Sequence, residues 1–276
     1  MNAVPWSVPD TSEPSAAGLY DYLLGGKNYR AADEAAAEWV VSLNPSLKDH
    51  MITVAQENRD FIGRAVRHIV QEGQVFQFLD VGLGQLGDMS VHRVAQAAAQ
   101  EVGSKDVKVV YVGNNSDMSA AAKIELAGDE NAIFVAGNPL APKSILDHPK
   151  TARFLNFNEP IAYLFTTVMH FILDVDDPKG VIDRIMMQAT AGSYLLISHV
   201  TSDELDPEVG ERVRTLFREI RQPIEFRTAR QIRSFFGDLE MMEPGLVDAG
   251  EWRSPRPAGE RHPMRTLAGV GRKKMW

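Results

Sequence analysis

The feature that most constrains this chain is an alternation. From residue 75 onward, short apolar runs rich in β-branched residues take turns with segments of helical periodicity. The runs span 75–81, 107–112, 132–135, 161–168, 193–199, 239–247 and 265–271. The helical segments span 91–102, 119–127, 178–190, 207–221 and 228–236. Apolar runs separated by helices predict a mainly parallel α/β sheet covered on both faces. The last two runs have no full helix between them, so they are expected to pair antiparallel at one edge. In such a sheet ligands bind beyond the carboxyl ends of the strands, and the loops that follow the runs are where function is sought.

The first part of the chain reads differently. Residues 1–15 are polar and rich in Pro and Ser, which predicts a flexible arm. Segments 16–24, 33–43 and 47–72 have helical spacing, with stops at Gly25-Gly26, Asn44-Pro45 and Gly73. They are expected to form an N-terminal helical lid, residues 16–73, on the strand-end rim of a core spanning 74–276.

Composition removes several classes of chemistry. There is no cysteine, which excludes disulfide scaffolds, zinc knuckles, iron–sulfur sites and thiol nucleophiles. Basic residues number 29 and acidic residues 37, a formal net charge of −8, which argues against a nucleic-acid surface. Residues 1–14 lack the basic start and apolar stretch of a secretion signal. The longest apolar stretch, 161–173, contains His170 and is too short to span a bilayer. The expectation is a cytoplasmic protein with no membrane partner. No G-x-S-x-G elbow is present, and no His or carboxylate cluster has metal-ligand spacing, so no metal is expected.

The strand-end motifs carry the candidate chemistry. The first run ends Asp80-Val-Gly82-Leu-Gly84. Glycines there let a backbone approach a ligand, the next helix offers free N–H groups, and the carboxylate can accept from an amine or hydroxyl. A plain tight turn is the alternative. Gly87 is one residue off the spacing of a dinucleotide fingerprint, which disfavours a nicotinamide cofactor. The second run ends Gly113-Asn114-Asn115, where amides stand in place of the usual ribose-binding carboxylate, or where a simple turn sits. After the third, Asn138-Pro139 either contacts an adenine edge or makes an Asn-Pro turn. After the fourth, Thr166-Thr167 leads to His170, a general base or a structural histidine. His199, at the end of the fifth run, is a second candidate base. Tyr20, Tyr22, Gly25, Gly26 and Lys27 gather aromatic rings, two glycines and a cation at a helix end. That text suits a loop closing over a ligand, with rings that stack on an aromatic or face a cation. A helix cap with surface aromatics is the alternative.

Taken together, the strings Tyr20-Asp-Tyr-Leu-Leu-Gly-Gly-Lys27, Asn58-Arg59-x-Phe61, Phe78-Leu-Asp80-Val-Gly82-x-Gly84, His170-Phe171 and Gly192-Ser-Tyr-Leu-x-Ile-Ser-His199 occur in an order that resembles a bacterial family. These are the S-adenosylmethionine-dependent methyltransferases once catalogued as a domain of unknown function, and the resemblance runs from residue 14 onward. It implies a class I, Rossmann-like fold, with seven strands, an antiparallel edge and a helical lid. It implies that Asp80, Gly82 and Gly84 line the methionine and ribose part of the donor, and that Tyr22, Gly25, Gly26 and Lys27 fold over it. Arg59, Asn114, Asn115, Asn138, Pro139 and Thr167 join them as donor-contacting candidates, with His170 and Tyr20 as catalytic ones. Two departures stand out: Gly113 and Asn138 occupy positions where the family usually has Asp.

The expected reaction is methyl transfer from S-adenosylmethionine to a small-molecule acceptor, of aromatic or heterocyclic natural-product type, as in secondary metabolism. The two lost carboxylates leave open a non-methylating enzyme or a silent binding protein on the same scaffold. Self-association into a homodimer also stays open.

Overall fold

The computed structural model describes residues 13–43, 45–82, 86, 89–104, 106–113, 116–255 and 264–274. Most of the expected arm therefore lies outside the described residues, as do Gly84, Asn114 and Asn115. In chain order the elements are α1 (Ala16–Leu23), α2 (Ala31–Leu43), α3 (Pro45–Gln71), β1 (Gln77–Val81), α4 (Val91–Glu101), β2 (Lys108–Gly113), α5 (Ser116–Glu125) and β3 (Ala132–Ala136). Then come α6 (Lys143–Leu146), α7 (Pro149–Phe154), β4 (Ala162–Thr166), 3-10 turns at Met169–Phe171 and Asp174–Asp176, α8 (Pro178–Met186) and β5 (Tyr194–Val200). The chain closes with α9 (Pro207–Glu219), α10 (Ala229–Ser234), β6 (Glu240–Met241), β7 (Val247–Asp248) and β8 (Thr266–Arg272).

The sheet runs β3-β2-β1-β4-β5-β8-β6, with β7 also on β8. Strands β1 to β5 are parallel, and β8 is antiparallel to β5. Among the described residues there are eight strands where seven were expected, and the difference is small. Met241 pairs with Gly271 and Val247 with Ala268, so β6 and β7 share one lane along β8. The run 239–247 is interrupted at Pro244-Gly245, where proline has no N–H to donate and Gly245 sits at φ +89°. Helices α6 and α7 were not anticipated, because four and six residues are too few to show a helical period.

The strand pattern follows from burial on both faces. Alternate strand residues point into two separate cores. Phe78, Val109, Tyr111, Leu164 and Leu196 pack with α3 and α4 on one face. Leu79, Val110, Val112, Tyr163, Phe165 and Ile197 pack with α8 and α10 on the other. A third apolar cluster joins α1, α2 and the start of α3 to α9 through Leu19, Met51, Val54, Val213, Phe217 and Phe226. Helix α3 serves two bodies: Met51 and Val54 belong to this lid cluster, while Phe61, Ala65, Val66, Ile69 and Val70 are fully buried against the sheet. The segment 16–73 thus packs on α9 at its beginning and covers the sheet at its end. Among the described residues, no helix is long and apolar enough to cross a membrane.

Candidate functional site

A cavity of about 240 Å³ opens between α1 and α3 and the carboxyl ends of β1, β2 and β4. Its wall at the strand ends includes Asp80, Gly82, Gly113, Thr167 and His170, and α1 and α3 contribute Tyr20, Asn58 and Arg59. The third apolar cluster adds Leu23, Val213, Phe217, Ile224 and Phe226 to its lining.

Asp80 is the one carboxylate among the described lining residues. Burial alone pushes it up to about 7, with no cation or hydrogen-bond donor opposing the shift. Beside it, Gly82 stands at φ +100°, and a Cβ there would lie 1.9 Å from Val168 Cγ2. Only glycine lets the chain leave β1 so close to the β4 loop. Thr167 is itself in the left-handed region, at φ +54°. Its N–H donates to Ser198 Oγ at 2.9 Å, and its hydroxyl donates to the Thr166 carbonyl at 2.7 Å. Strained non-glycine backbone of this kind collects at ligand-facing turns.

Several buried polar atoms in the cavity wall have no partner among the described residues. They are Asn58 Oδ1, His170 Nδ1 and Thr266 Oγ1, on residues exposed by 1%, 5% and 2%. Asn58 is half-satisfied, because its Nδ2 donates to Tyr20 Oη at 3.0 Å. Tyr20 in turn donates to the Ala55 carbonyl at 3.1 Å, and burial raises its phenol pKa. Tyr111, the β2 neighbour of Asp80, is anchored by the His92 N–H at 3.0 Å. His170 lies in the 3-10 turn after β4, edge-on to Phe171 and His199 at 4.4 and 5.5 Å between ring centres. Burial first, then His199 and Arg227, hold it well below the usual histidine range, so the ring is neutral. His199 is pushed down to about 3, again mainly by burial.

The remaining candidates sit elsewhere. Tyr22, Gly25, Gly26, Lys27, Asn138 and Pro139 do not line the cavity. Tyr22 bonds Glu38 and meets the edge of Tyr29 at 5.1 Å, and Lys27 is exposed. Gly25 takes φ +69°, and a Cβ on Gly26 would strike the Asp21 carboxylate. The fully buried Asp21 accepts the Asn28 N–H at 2.7 Å and so ties down the loop after α1. The signature string thereby builds a loop and contributes two cavity residues, Tyr20 and Leu23. Asn138 makes the Asn-Pro turn: its Oδ1 accepts the Leu140 N–H at 2.9 Å, and its own N–H goes to Ser144 Oγ at 3.0 Å. Its side chain is spent on the backbone two residues ahead, which removes it from the ligand side. His199 is buried behind His170 and bonds Val200 and Arg227.

Sequence reasoning did not single out Phe217, Phe226 or Thr266 as lining residues, nor Arg227. The spacing of Val213 and Phe217 on α9 signals a buried face without saying what it faces. Nothing local marks Arg227. Among the described residues, no three His, Cys, Asp or Glu side chains converge as a metal site would require.

The model of a family described as S-adenosyl methyltransferase matches residues 5–274. Two solved structures are similar at 32% identity and a TM-score of 0.86, each matched over 96% of this chain. One is a DUF574 family protein from Streptomyces avermitilis MA-4680, covered over 99% of its length. The other, from Thermobifida fusca YX, is covered over 97% and described as a methyltransferase by inference. No curated protein matches.

Proposed function

This chain belongs to the S-adenosyl methyltransferase family and is an S-adenosylmethionine-dependent methyltransferase, and we propose from that premise how its cavity divides between donor and acceptor. The strand-end wall takes the donor. Asp80 and Asn58 Oδ1 are hydrogen-bond acceptors with no protein donor in the described structure. That suits a ligand bearing ammonium and hydroxyl donors and a positive charge, as S-adenosylmethionine does. Asp80, Asn58 and the bare backbone at Gly82 and Gly113 are the residues that would hold it, with Tyr20 and Arg59 closing from the lid. Bound there, the donor supplies a methyl group already activated on a sulfonium.

The apolar end takes the acceptor, and this carries the substrate assignment. Leu23, Val213, Phe217, Ile224 and Phe226 offer a greasy, partly aromatic wall that rewards burial of a flat apolar molecule and offers little to a polymer backbone. We assign a small aromatic or heterocyclic acceptor. The donor needs no further activation, so these residues serve mainly to align the two reactants and exclude water. His170, neutral and in the cavity wall, takes the proton when the accepting atom is an O–H or N–H. Neither the fold nor the relatives favour the non-methylating or silent readings that Gly113 and Asn138 left open.

The test has two arms. Calorimetry with S-adenosylmethionine and S-adenosylhomocysteine should show binding that Asp80→Asn weakens and His170→Asn leaves intact. Release of S-adenosylhomocysteine should then be followed over a panel of apolar phenols and heterocycles, peptides and oligonucleotides. Turnover confined to peptides or oligonucleotides would overturn the acceptor assignment, and absence of donor binding would overturn the donor site.

A further inference from the structure

Arg227 lies behind the cavity wall and does not line it, yet it is 2% exposed and fully engaged. A guanidinium has five N–H donors, and here each has an acceptor. Nη1 donates to the Met169 carbonyl at 2.8 Å and to His199 Nε2 at 2.9 Å. Nη2 donates to the Ile172 carbonyl at 2.7 Å and to Asp174 Oδ1 at 2.7 Å, and Nε donates to the same carboxylate oxygen at 3.1 Å. The carbonyls it grips bracket His170, one residue before it and two after. The next strand of contact closes the loop: the Glu225 N–H donates to the His170 carbonyl at 2.8 Å, and Thr201 and Arg227 form a β-bridge.

The bond to His199 carries chemical information. His199 Nδ1 lies 2.7 Å from the Val200 carbonyl, which can only accept, so Nδ1 carries the proton. Its Nε2 is then a bare lone pair, and the Arg227 N–H fills it. His199 is thereby held as one neutral tautomer, and its ring is the edge-to-face neighbour of His170.

We propose that Arg227 is the positioning residue for His170: it fixes the 3-10 turn that carries His170 and locks the tautomer of the His199 ring against which His170 packs. A lysine cannot replace it, because three donors on one nitrogen do not span four separate acceptors. The inference rests on the reading of His170 as the base only for its catalytic consequence, since the positioning itself is visible without turnover.

The experiment uses the full chain with 15N-labelled histidine and long-range 1H–15N spectra at neutral pH, with His170→Asn and His199→Asn to assign the signals. In the wild type, His199 should show a single Nδ1–H tautomer. In Arg227→Lys, shown to be folded by a cooperative thermal transition, His199 should populate both tautomers and the His170 ring signals should move, while affinity for S-adenosylhomocysteine stays within about threefold. Should Arg227→Lys fail to fold, Asp174→Ala decides. It removes the two bonds at the exposed end of the clamp, and it should move the His170 signals in a folded protein. Unchanged His170 and His199 signals in the folded variant that decides would overturn the inference. That result is independent of whether His170→Asn loses methyl transfer, which tests the base itself. With an acceptor in hand, Arg227→Lys should lower kcat and leave the donor KM unchanged.

Discussion

Asp80 should make the ligand-free protein less stable in proportion to how well it is poised for a cation, and Asp80→Asn should expose this. An ordinary aspartate titrates near 3.8, whereas burial in the cavity pushes Asp80 up to about 7. The gap of about 3 pH units corresponds to about 4 kcal/mol at 1.36 kcal/mol per unit, an upper figure because the side chain is only partly buried. The sign follows from proton counting. Below the unfolded value both states hold the proton and nothing is lost. Between about 4 and 7 the folded state holds more proton than the unfolded one, so stability falls as pH rises; above 7 the full penalty stands. The amide is neutral throughout. Urea or thermal unfolding of the ligand-free pair at pH 5 and pH 8 should therefore show an advantage for Asp80→Asn that grows by about 2–3 kcal/mol between the two. At pH 8 this amounts to a rise in Tm on the order of 10 °C. Affinity for S-adenosylmethionine should move oppositely, falling tenfold or more, because a charge-assisted pair is worth about 1.5–3 kcal/mol. An advantage that does not grow with pH, or an amide variant less stable at pH 8, would refute the reasoning about Asp80.

Gly82→Ala must place a methyl 1.9 Å from Val168 Cγ2 at a positive φ, so it should destabilise by about 2–5 kcal/mol in urea unfolding. Adding Val168→Ala should recover part of that, and strictly additive losses would show that no clash exists. The buried neutral His170 and His199 act against acid. Both titrate below the unfolded value of 6.5 when folded, so stability should fall as pH drops below about 6. Measured in the Asp80→Asn background, which removes the opposing carboxylate, His199 alone, held at about 3, should cost about 1.4 kcal/mol per pH unit between pH 6 and 4, and His170 should steepen the loss. Phe226→Ala should raise the KM for an aromatic acceptor by about tenfold or more while leaving the calorimetric Kd for S-adenosylhomocysteine within about twofold. Equal losses in both would merge the two ends of the cavity into one.

What the amino-acid sequence determined by itself is the part set by short-range pattern. A strand buried on both faces must be apolar over its whole length, and a helix between two such strands forces them parallel, so the order of runs from 75 to 271 already implied the sheet. The same locality made Asp80 and Gly82 legible, because the end of the first strand is both a motif and a place in the fold. Tyr20 and His170 were legible for a related reason, standing as polar residues in otherwise apolar text. The tertiary structure decided everything that depends on which distant residues meet. It sent the Asn138 side chain into its own turn, because an acceptor two residues from a free N–H is satisfied locally before any ligand arrives. It spent Asp21, Gly25 and Gly26 on the loop after α1, since a buried carboxylate needs donors and that backbone supplies them. It split the run 239–247 around Pro244 and turned the end of α3 from lid into sheet cover. Above all it brought Phe217 and Phe226 onto the cavity from some 200 residues beyond Tyr20, and set Arg227 behind His170, more than 50 residues away. Arginine in sequence reads as surface charge. Only the meeting of the Met169 and Ile172 carbonyls, Asp174 and the His199 lone pair around one guanidinium makes its burial stable.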